Sequence, residues 1–184
     1  YGKDIDYSLI EVTKVGENSL AKIGNKIIIA SELMEDVMKE ISVLGFNSSN
    51  TLKGSDFAGT VLAHPLNNNG YEHEVLLLEA DFVTTDQGTG FVHIAPGHGA
   101  DDFELGRQNN LPIPETVSDN GILNSDLPLL GGLRVLKDNE IIADIMSDHN
   151  ALIGRGKLEH SYPHSWRSKA PLVFRTTPQW FISM

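Results

Sequence analysis

Gly88-Thr89-Gly90-Phe91-Val92-His93-Ile94-Ala95-Pro96-Gly97-His98-Gly99-Ala100-Asp101-Asp102-Phe103 places four glycines, two histidines and two adjacent aspartates within fifteen residues, Gly88 to Asp102. Packing alone does not call for such a concentration. Gly88 and Gly90 permit a tight turn or close approach of a ligand to backbone N–H groups, and Gly97 and Gly99 do the same ahead of a helix. That helix is expected over Asp101–Asn109, with both acids in its first turn, where carboxylates are favoured electrostatically. Between the glycine pairs, Gly90 to Ala95 reads as a strand.

On the N-terminal side, Tyr7 to Val12 and Lys26 to Ala30 are short β-branched runs separated by the turn signal Gly24-Asn25. Ser31 is a good N-cap, and Leu33, Val37, Ile41 and Leu44 fall on one helical face that Gly45 would end. Phe57 to Leu66 and Glu74 to Asp81 read as further strands. On the C-terminal side a helix is expected over Asp138–Asp148 with Ile141, Ile142 and Ile145 turned inward, followed by strands over Leu152–Tyr162 and Leu172–Thr176. The pattern is a strand-rich α+β fold with neither βαβ alternation nor an internal repeat.

Composition narrows the function classes. The chain has 184 residues, 40% of them hydrophobic and 21% charged, which is ordinary for a globular domain. There is no Cys, so a disulfide scaffold, a thiolate metal site and a Cys nucleophile are excluded. A net charge of −11 argues against a free-standing nucleic-acid binder. The charge is uneven, however. Arg155, Lys157, Arg167, Lys169 and Arg175 face one acid, Glu159, in residues 155–184, so that stretch is +4 and the rest −15. A cationic tail of this kind is either a solvated surface or a contact with an anionic partner. No apolar run approaches the ~18–20 residues of a membrane span, and no signal peptide is visible. Both ends read as cuts through a longer chain.

Several motifs fail on inspection. Gly88-Thr89-Gly90 is no dinucleotide fingerprint, because His93 stands at the third glycine position and a strand is expected to follow. Gly156-Lys157 is no P-loop, since Ala151 and Leu158 occupy the obligatory Gly and Ser/Thr positions. Gly-x-Ser-x-Gly is absent. His93, His98, Asp101 and Asp102 offer four N/O donors to a metal, but Pro96 and two glycines break the helix that would align them. Metal ligation, simple capping and a metal-free binding or hydrolytic site all stay open on the residues alone. Of the two acids, one can cap while the other reaches into a pocket.

The stretch from Gly88 to Phe103 resembles the signature of the editing domain inserted in isoleucyl-tRNA synthetases. A second block, His160-Ser161-Tyr162-Pro163-His164-Ser165-Trp166-Arg167-Ser168-Lys169-Ala170-Pro171 with Arg175-Thr176-Thr177-Pro178-Gln179-Trp180-Phe181, resembles the strand returning from that insertion to the synthetic core. The related valyl and leucyl enzymes share the Gly-Thr-Gly start and the later Asp. The resemblance is strong over about 74–117 and 158–184 and weak before residue 70.

What the resemblance implies is a distorted β-barrel with flanking helices, an editing domain over 1–157 and a return segment over 158–184. The implied reaction is hydrolysis of valine misattached to isoleucine tRNA. This family is the standing example of a limit on recognition: one methylene is worth only about 1–3 kcal/mol in an apolar pocket. By residue, Asp102 matches the carboxylate that holds the α-ammonium of the esterified valine, and His93 the group that narrows the side-chain pocket. These two are the expected catalytic pair. Gly88, Thr89, Gly90 and Phe91 match the substrate-binding stretch near the terminal adenosine, and His98 and Asp101 have structural roles. The implied partners are the 3′-terminal adenosine of isoleucine tRNA and the remainder of the synthetase, in the cytoplasm and without a membrane. The parent would ligate isoleucine to its tRNA using ATP, but the nucleotide-binding signatures of that core are not in this piece.

Two departures from the family pattern matter. The family's threonine-rich pocket strand belongs upstream of this stretch, and Thr84-Thr85 is a different segment. Some members carry Cys where Ser165 and Ser168 stand and bind structural zinc there. Ser is a poor zinc ligand, so neither a metal nor another cofactor is expected. The alternatives are a metal-dependent hydrolase built on His93, His98 and Asp102, and a non-catalytic tRNA-docking module.

Overall fold

The computed structural model describes residues 1–156, 161–180 and 182–184. It divides into two units, one of Tyr1–Val92 with Glu140–Lys157 and the other of His93–Asn139 with Leu158–Met184.

The first unit is built on a three-stranded antiparallel sheet of order β2-β1-β3, with β1 at Asp6–Val15, β2 at Lys26–Ala30 and β3 at Val43–Lys53. The β1–β2 register runs from Tyr7 opposite Ala30 to Glu11 opposite Lys26. Gly24, with φ +87°, makes the turn between them, and its N–H bonds to Val12 O at 2.8 Å. After β2 a short 3₁₀ turn, Ser31–Leu33, leads into α1, Met34–Glu40. Ser31 does not cap this helix; its hydroxyl bonds that of Ser8 at 2.7 Å. Val37, Met38 and Ile41 bury the expected face of α1 against the sheet.

Leu44 and Gly45, expected at the end of that helix, lie instead in β3. Ser42 turns the chain with φ +57°, and Val43 then pairs with Val15. β3 is the longest strand among the described residues, yet its centre holds Asn47-Ser48-Ser49-Asn50, residue types of low strand preference. Pairing along β1 overrides their weak intrinsic preference. Asn50, with φ +52°, is the extra residue where the register slips between Ser8–Thr51 and Leu9–Ser49, as a bulge requires.

The core of this unit is aromatic. Tyr7 is fully buried, with ring centroids 5.1 Å from Phe57 and 4.7 Å from Phe91. Its hydroxyl accepts from Gly2 N at 3.0 Å and donates to Gly90 O at 2.7 Å, so no polar atom is orphaned. Burial raises the Tyr7 phenol above its ordinary pKa, and the N–H donated by Gly2 opposes that rise.

Other expected strands shrink. Phe57 closes a 3₁₀ turn, Gly54–Phe57, and only β4, Val61–Ala63, pairs with β5, Glu74–Leu76, in a separate two-stranded sheet. Both sheets are open. The last helix of the described residues, which we label α3, spans Asn139–Asp148 at the expected place, but Ile141 is exposed rather than inward. Arg155 pairs with Glu140 at 3.4 Å and Asp144 at 2.7 Å on one face of that helix.

The second unit holds α2, Ala100–Gln108, one residue ahead of the expected bounds. Gly106 on α2 is buried where Pro96 crosses it, and a Cβ there would stand 2.8 Å from Pro96 Cγ. Over Gly90–Ala95 and Leu172–Thr176, where strands are expected, no ladder forms. In the first, Gly90 takes φ +79° and Phe91 is drawn into the aromatic core. The strand expected over Leu152–Tyr162 is likewise absent over its described residues, and 157–160 lie outside them.

Asp138 is the best-held carboxylate of the second unit. It accepts from Arg134 N at 2.8 Å and from the Arg134 guanidinium at 2.7 and 3.1 Å. These bonds, the guanidinium's first and the backbone N–H next, hold its pKa at about 2, below the ordinary 3.8. A depressed carboxylate stabilises the fold above its unfolded pKa and loses that effect as pH falls through its folded one. Asp138→Asn is therefore expected to lower the thermal midpoint at neutral pH. The difference from the parent should shrink between about pH 4 and pH 2, read by thermal unfolding at several pH values.

Candidate functional site

The boundary between the units falls between Val92 and His93, inside the glycine-rich motif. Gly88, Thr89, Gly90 and Phe91 therefore belong to the first unit, and His93, His98, Asp101 and Asp102 to the second.

In the first unit the Gly88–Phe91 stretch is pinned to the sheet. Ala30 N donates to Thr89 O at 2.8 Å where β2 ends, and Tyr7 donates to Gly90 O. Gly90 sits so close that a Cβ would lie 2.5 Å from Ala30 Cβ and 3.2 Å from Tyr7 Cε1. Gly88, at φ +77°, faces open space. The backbone here is rigid at Gly90 and accessible at Gly88, while the Phe91 side chain serves the core, 4.7 Å from Tyr7 and 5.7 Å from Phe57.

In the second unit Gly99, extended at φ −131°, precedes α2, and no side chain caps the helix. Asp101 and Asp102 occupy the first turn, at the positive end of the helix dipole. Asp101 is exposed. Asp102 is half-buried and folds back over Gly99, whose missing side chain leaves the room: a Cβ on Gly99 would meet Asp102 Oδ2 at 2.5 Å. Among the described residues nothing forms an ion pair or hydrogen bond with the Asp102 carboxylate or the exposed His93 ring. A half-buried carboxylate of this kind is available to a cation brought by a ligand.

His98 is used differently. Its Nδ1–H donates to Phe174 O at 2.8 Å, which leaves Nε2 to accept from the Thr116 hydroxyl at 3.4 Å. Thr176 N donates to Gly97 O at 2.8 Å, so residues 174–176 are tied to the loop that launches α2. This anchoring is not foreseen from the sequence; the only local hint is the histidine between two glycines. Its consequence for metal binding is direct, because both ring nitrogens of His98 are engaged. Among the described residues no group of three or more His, Cys, Asp or Glu is arranged to hold a metal ion.

A hollow of about 310 Å³ beside His98 is lined by Thr116, Val117, Leu123, Val135 and Phe174 among others. The larger hollow, about 480 Å³ in the first unit near Glu17, Glu35 and Met38, includes no motif residue. The cationic tail is also partly spent: Arg155 is paired as described above, and Arg175 with Asp119. Arg167 and Lys169 form no ion pair among the described residues. No helix of the described residues is long and apolar enough to cross a membrane.

A family model described as the editing domain of leucyl-tRNA synthetase matches residues 23–128. The isoleucine–tRNA ligase of Gluconobacter oxydans (strain 621H) is 43% identical over 195 residues, covering 100% of this chain and 20% of that protein. The isoleucine–tRNA ligase of Pelagibacter ubique (strain HTCC1062) is 44% identical over 184 residues, again 100% and 20%. That of Vibrio vulnificus (strain YJ016) is 41% identical over 181 residues, 98% of this chain and 18% of its own. The chain spans about a fifth of the length of the curated relatives it matches.

Proposed function

We propose, since the chain belongs to the leucyl-tRNA synthetase editing-domain family, that it is the editing portion of an isoleucine–tRNA ligase and hydrolyses the ester of valine misattached to isoleucine tRNA. The names of its relatives support the isoleucine system. The observation that carries the hydrolytic role is the Asp102 carboxylate, half-buried at the start of α2 and engaged by no described residue.

In this mechanism Asp102 receives the α-ammonium of the esterified valine, a charge-assisted contact that fixes the ester carbonyl relative to an attacking water. Water adds to the carbonyl carbon and the bond to the ribose oxygen breaks. Valine leaves as a carboxylate; of the two protons of the water, one ends on the ribose oxygen and the other passes to solvent. In the second unit His93 narrows the side-chain pocket; in the first, the Gly88–Phe91 stretch offers the terminal adenosine its open backbone at Gly88. The open sheets would form part of the distorted barrel of such domains. The rest of the synthetase, with its ATP-dependent ligation of isoleucine in the cytoplasm, completes the enzyme.

The test is substrate discrimination. Given valyl- and isoleucyl-esters of the same isoleucine tRNA, the protein is expected to hydrolyse the valyl ester about 10–200-fold faster, the range one methylene provides. Equal rates would remove the valine specificity. Absence of any hydrolysis would remove the reaction itself.

A further inference from the structure

We propose that the turn Trp166-Arg167-Ser168-Lys169 is a preformed grip for single-stranded RNA, used on the 3′ end of the tRNA. It rests on the functional reading above and extends it to a surface outside the Asp102 site.

The turn is exposed but held. Ser165 N donates to Ala170 O, and Lys169 N to Ser165 O, both at 2.9 Å, while Leu172 N donates to Pro163 O at 3.0 Å. The two serine hydroxyls add support: Ser165 Oγ accepts from Ser168 N and Ser168 Oγ from Ala170 N, each at 3.3 Å. Lys169, at φ +58°, closes the turn. Trp166, Arg167 and Lys169 thus project from a backbone already fixed, which lowers the entropy lost on binding.

What the tip displays is specific in chemistry. Trp166 is 76% exposed. The Arg167 guanidinium lies 5.0 Å from its ring centroid. Arg167 and Lys169 have no acidic partner among the described residues, whereas Arg155 and Arg175 both have one. Residues 160–184 contain no Asp or Glu, in a chain whose net charge is −11. An aromatic face flanked by free cations is the arrangement that stacks an unpaired base and neutralises its phosphates. In so acidic a protein an RNA strand must approach where cations are unopposed. The same segment is bonded through Phe174 O and Thr176 N to the loop before α2, so an RNA end held by the tip is delivered on the element that also braces the start of the Asp102 helix.

The test uses the 184-residue protein and a fluorescein-labelled short single-stranded RNA ending in CCA, followed by anisotropy. Trp166→Ala is expected to weaken binding by about 5–150-fold, and Trp166→Phe to restore most of it, because stacking needs a ring and not indole in particular. Arg167→Gln with Lys169→Gln should flatten the dependence of log K on log salt by about 1.4. Circular dichroism establishes that each variant is folded. Affinity indifferent to Trp166→Ala, as expected if the tip seats on protein instead, overturns the proposal, as does an unchanged salt slope. Failure of the functional reading looks different. RNA binding through the tip without hydrolysis of valyl-tRNA would remove that reading and keep the tip. Hydrolysis with the same KM in Trp166→Ala would do the reverse.

Discussion

Asp102→Ala is expected to slow hydrolysis of valyl-tRNA by at least about 100-fold, with thermal stability shifted by no more than a few degrees. The rate loss follows from the role proposed for the carboxylate. Without an anion to receive the α-ammonium, the ester is no longer fixed relative to water, and misplacement by about 1 Å alone costs on the order of 100-fold. The small stability effect follows from the geometry: Asp102 makes no ion pair or hydrogen bond among the described residues. What the fold loses is a carboxylate in the first turn of α2, worth about 0.3–1 kcal/mol through the helix dipole. Asp101→Ala is the control, since that neighbour carries the same dipole interaction but is exposed. Single-turnover deacylation by both variants separates the cases. Retained hydrolysis in Asp102→Ala would take the chemistry away from this residue.

Gly90→Ala is expected to destabilise the first unit by about 2–5 kcal/mol, the sum of two costs. The residue holds φ +79°, where a Cβ costs about 1–2 kcal/mol. That Cβ would also lie 2.5 Å from Ala30 Cβ and 3.2 Å from Tyr7 Cε1, and overpacking a fixed core costs typically about 1–3 kcal/mol. Neither neighbour yields easily, since Ala30 ends β2 and Tyr7 is fully buried. Gly88→Ala shares the positive φ but meets nothing within 4 Å, so its loss should be limited to the backbone term. Urea unfolding of the two variants measures the difference directly. Equal losses would mean that the contact with Tyr7 and Ala30 carries no weight. Two glycines of one motif thus have different duties, one as a rigid joint with the sheet and one as an open approach to backbone.

Much of the fold is legible in short stretches. β2, α2 and α3 fall where β-branched runs, first-turn acids and helical spacing place them, because those signals act between near neighbours. β3 is not legible: Asn47-Ser48-Ser49-Asn50 carries no local strand preference and is extended only because β1 lies alongside it. The helix beginning at Ser31 fails at Leu44 for the same reason, since the periodicity continues past the point where Ser42 turns the chain. The candidate site divides in the same way. The composition of Gly88–Asp102 marks it as the candidate site, and the adjacent acids invite the distinction between an exposed and a half-buried carboxylate.

Residue order alone therefore settled where the unusual chemistry lies, which family it resembles and which elements surround it. Only tertiary structure decided that His98 is an anchor, bonded to Phe174 and Thr116, that Gly90 is clamped by Tyr7, and that the tail's cations are unequal, two paired and two free among the described residues. The physical reason is distance along the chain. Tyr7 and Gly90 are 83 residues apart and His98 and Phe174 76 apart, so each bond forms only once folding has brought remote backbone together, and no local propensity encodes it.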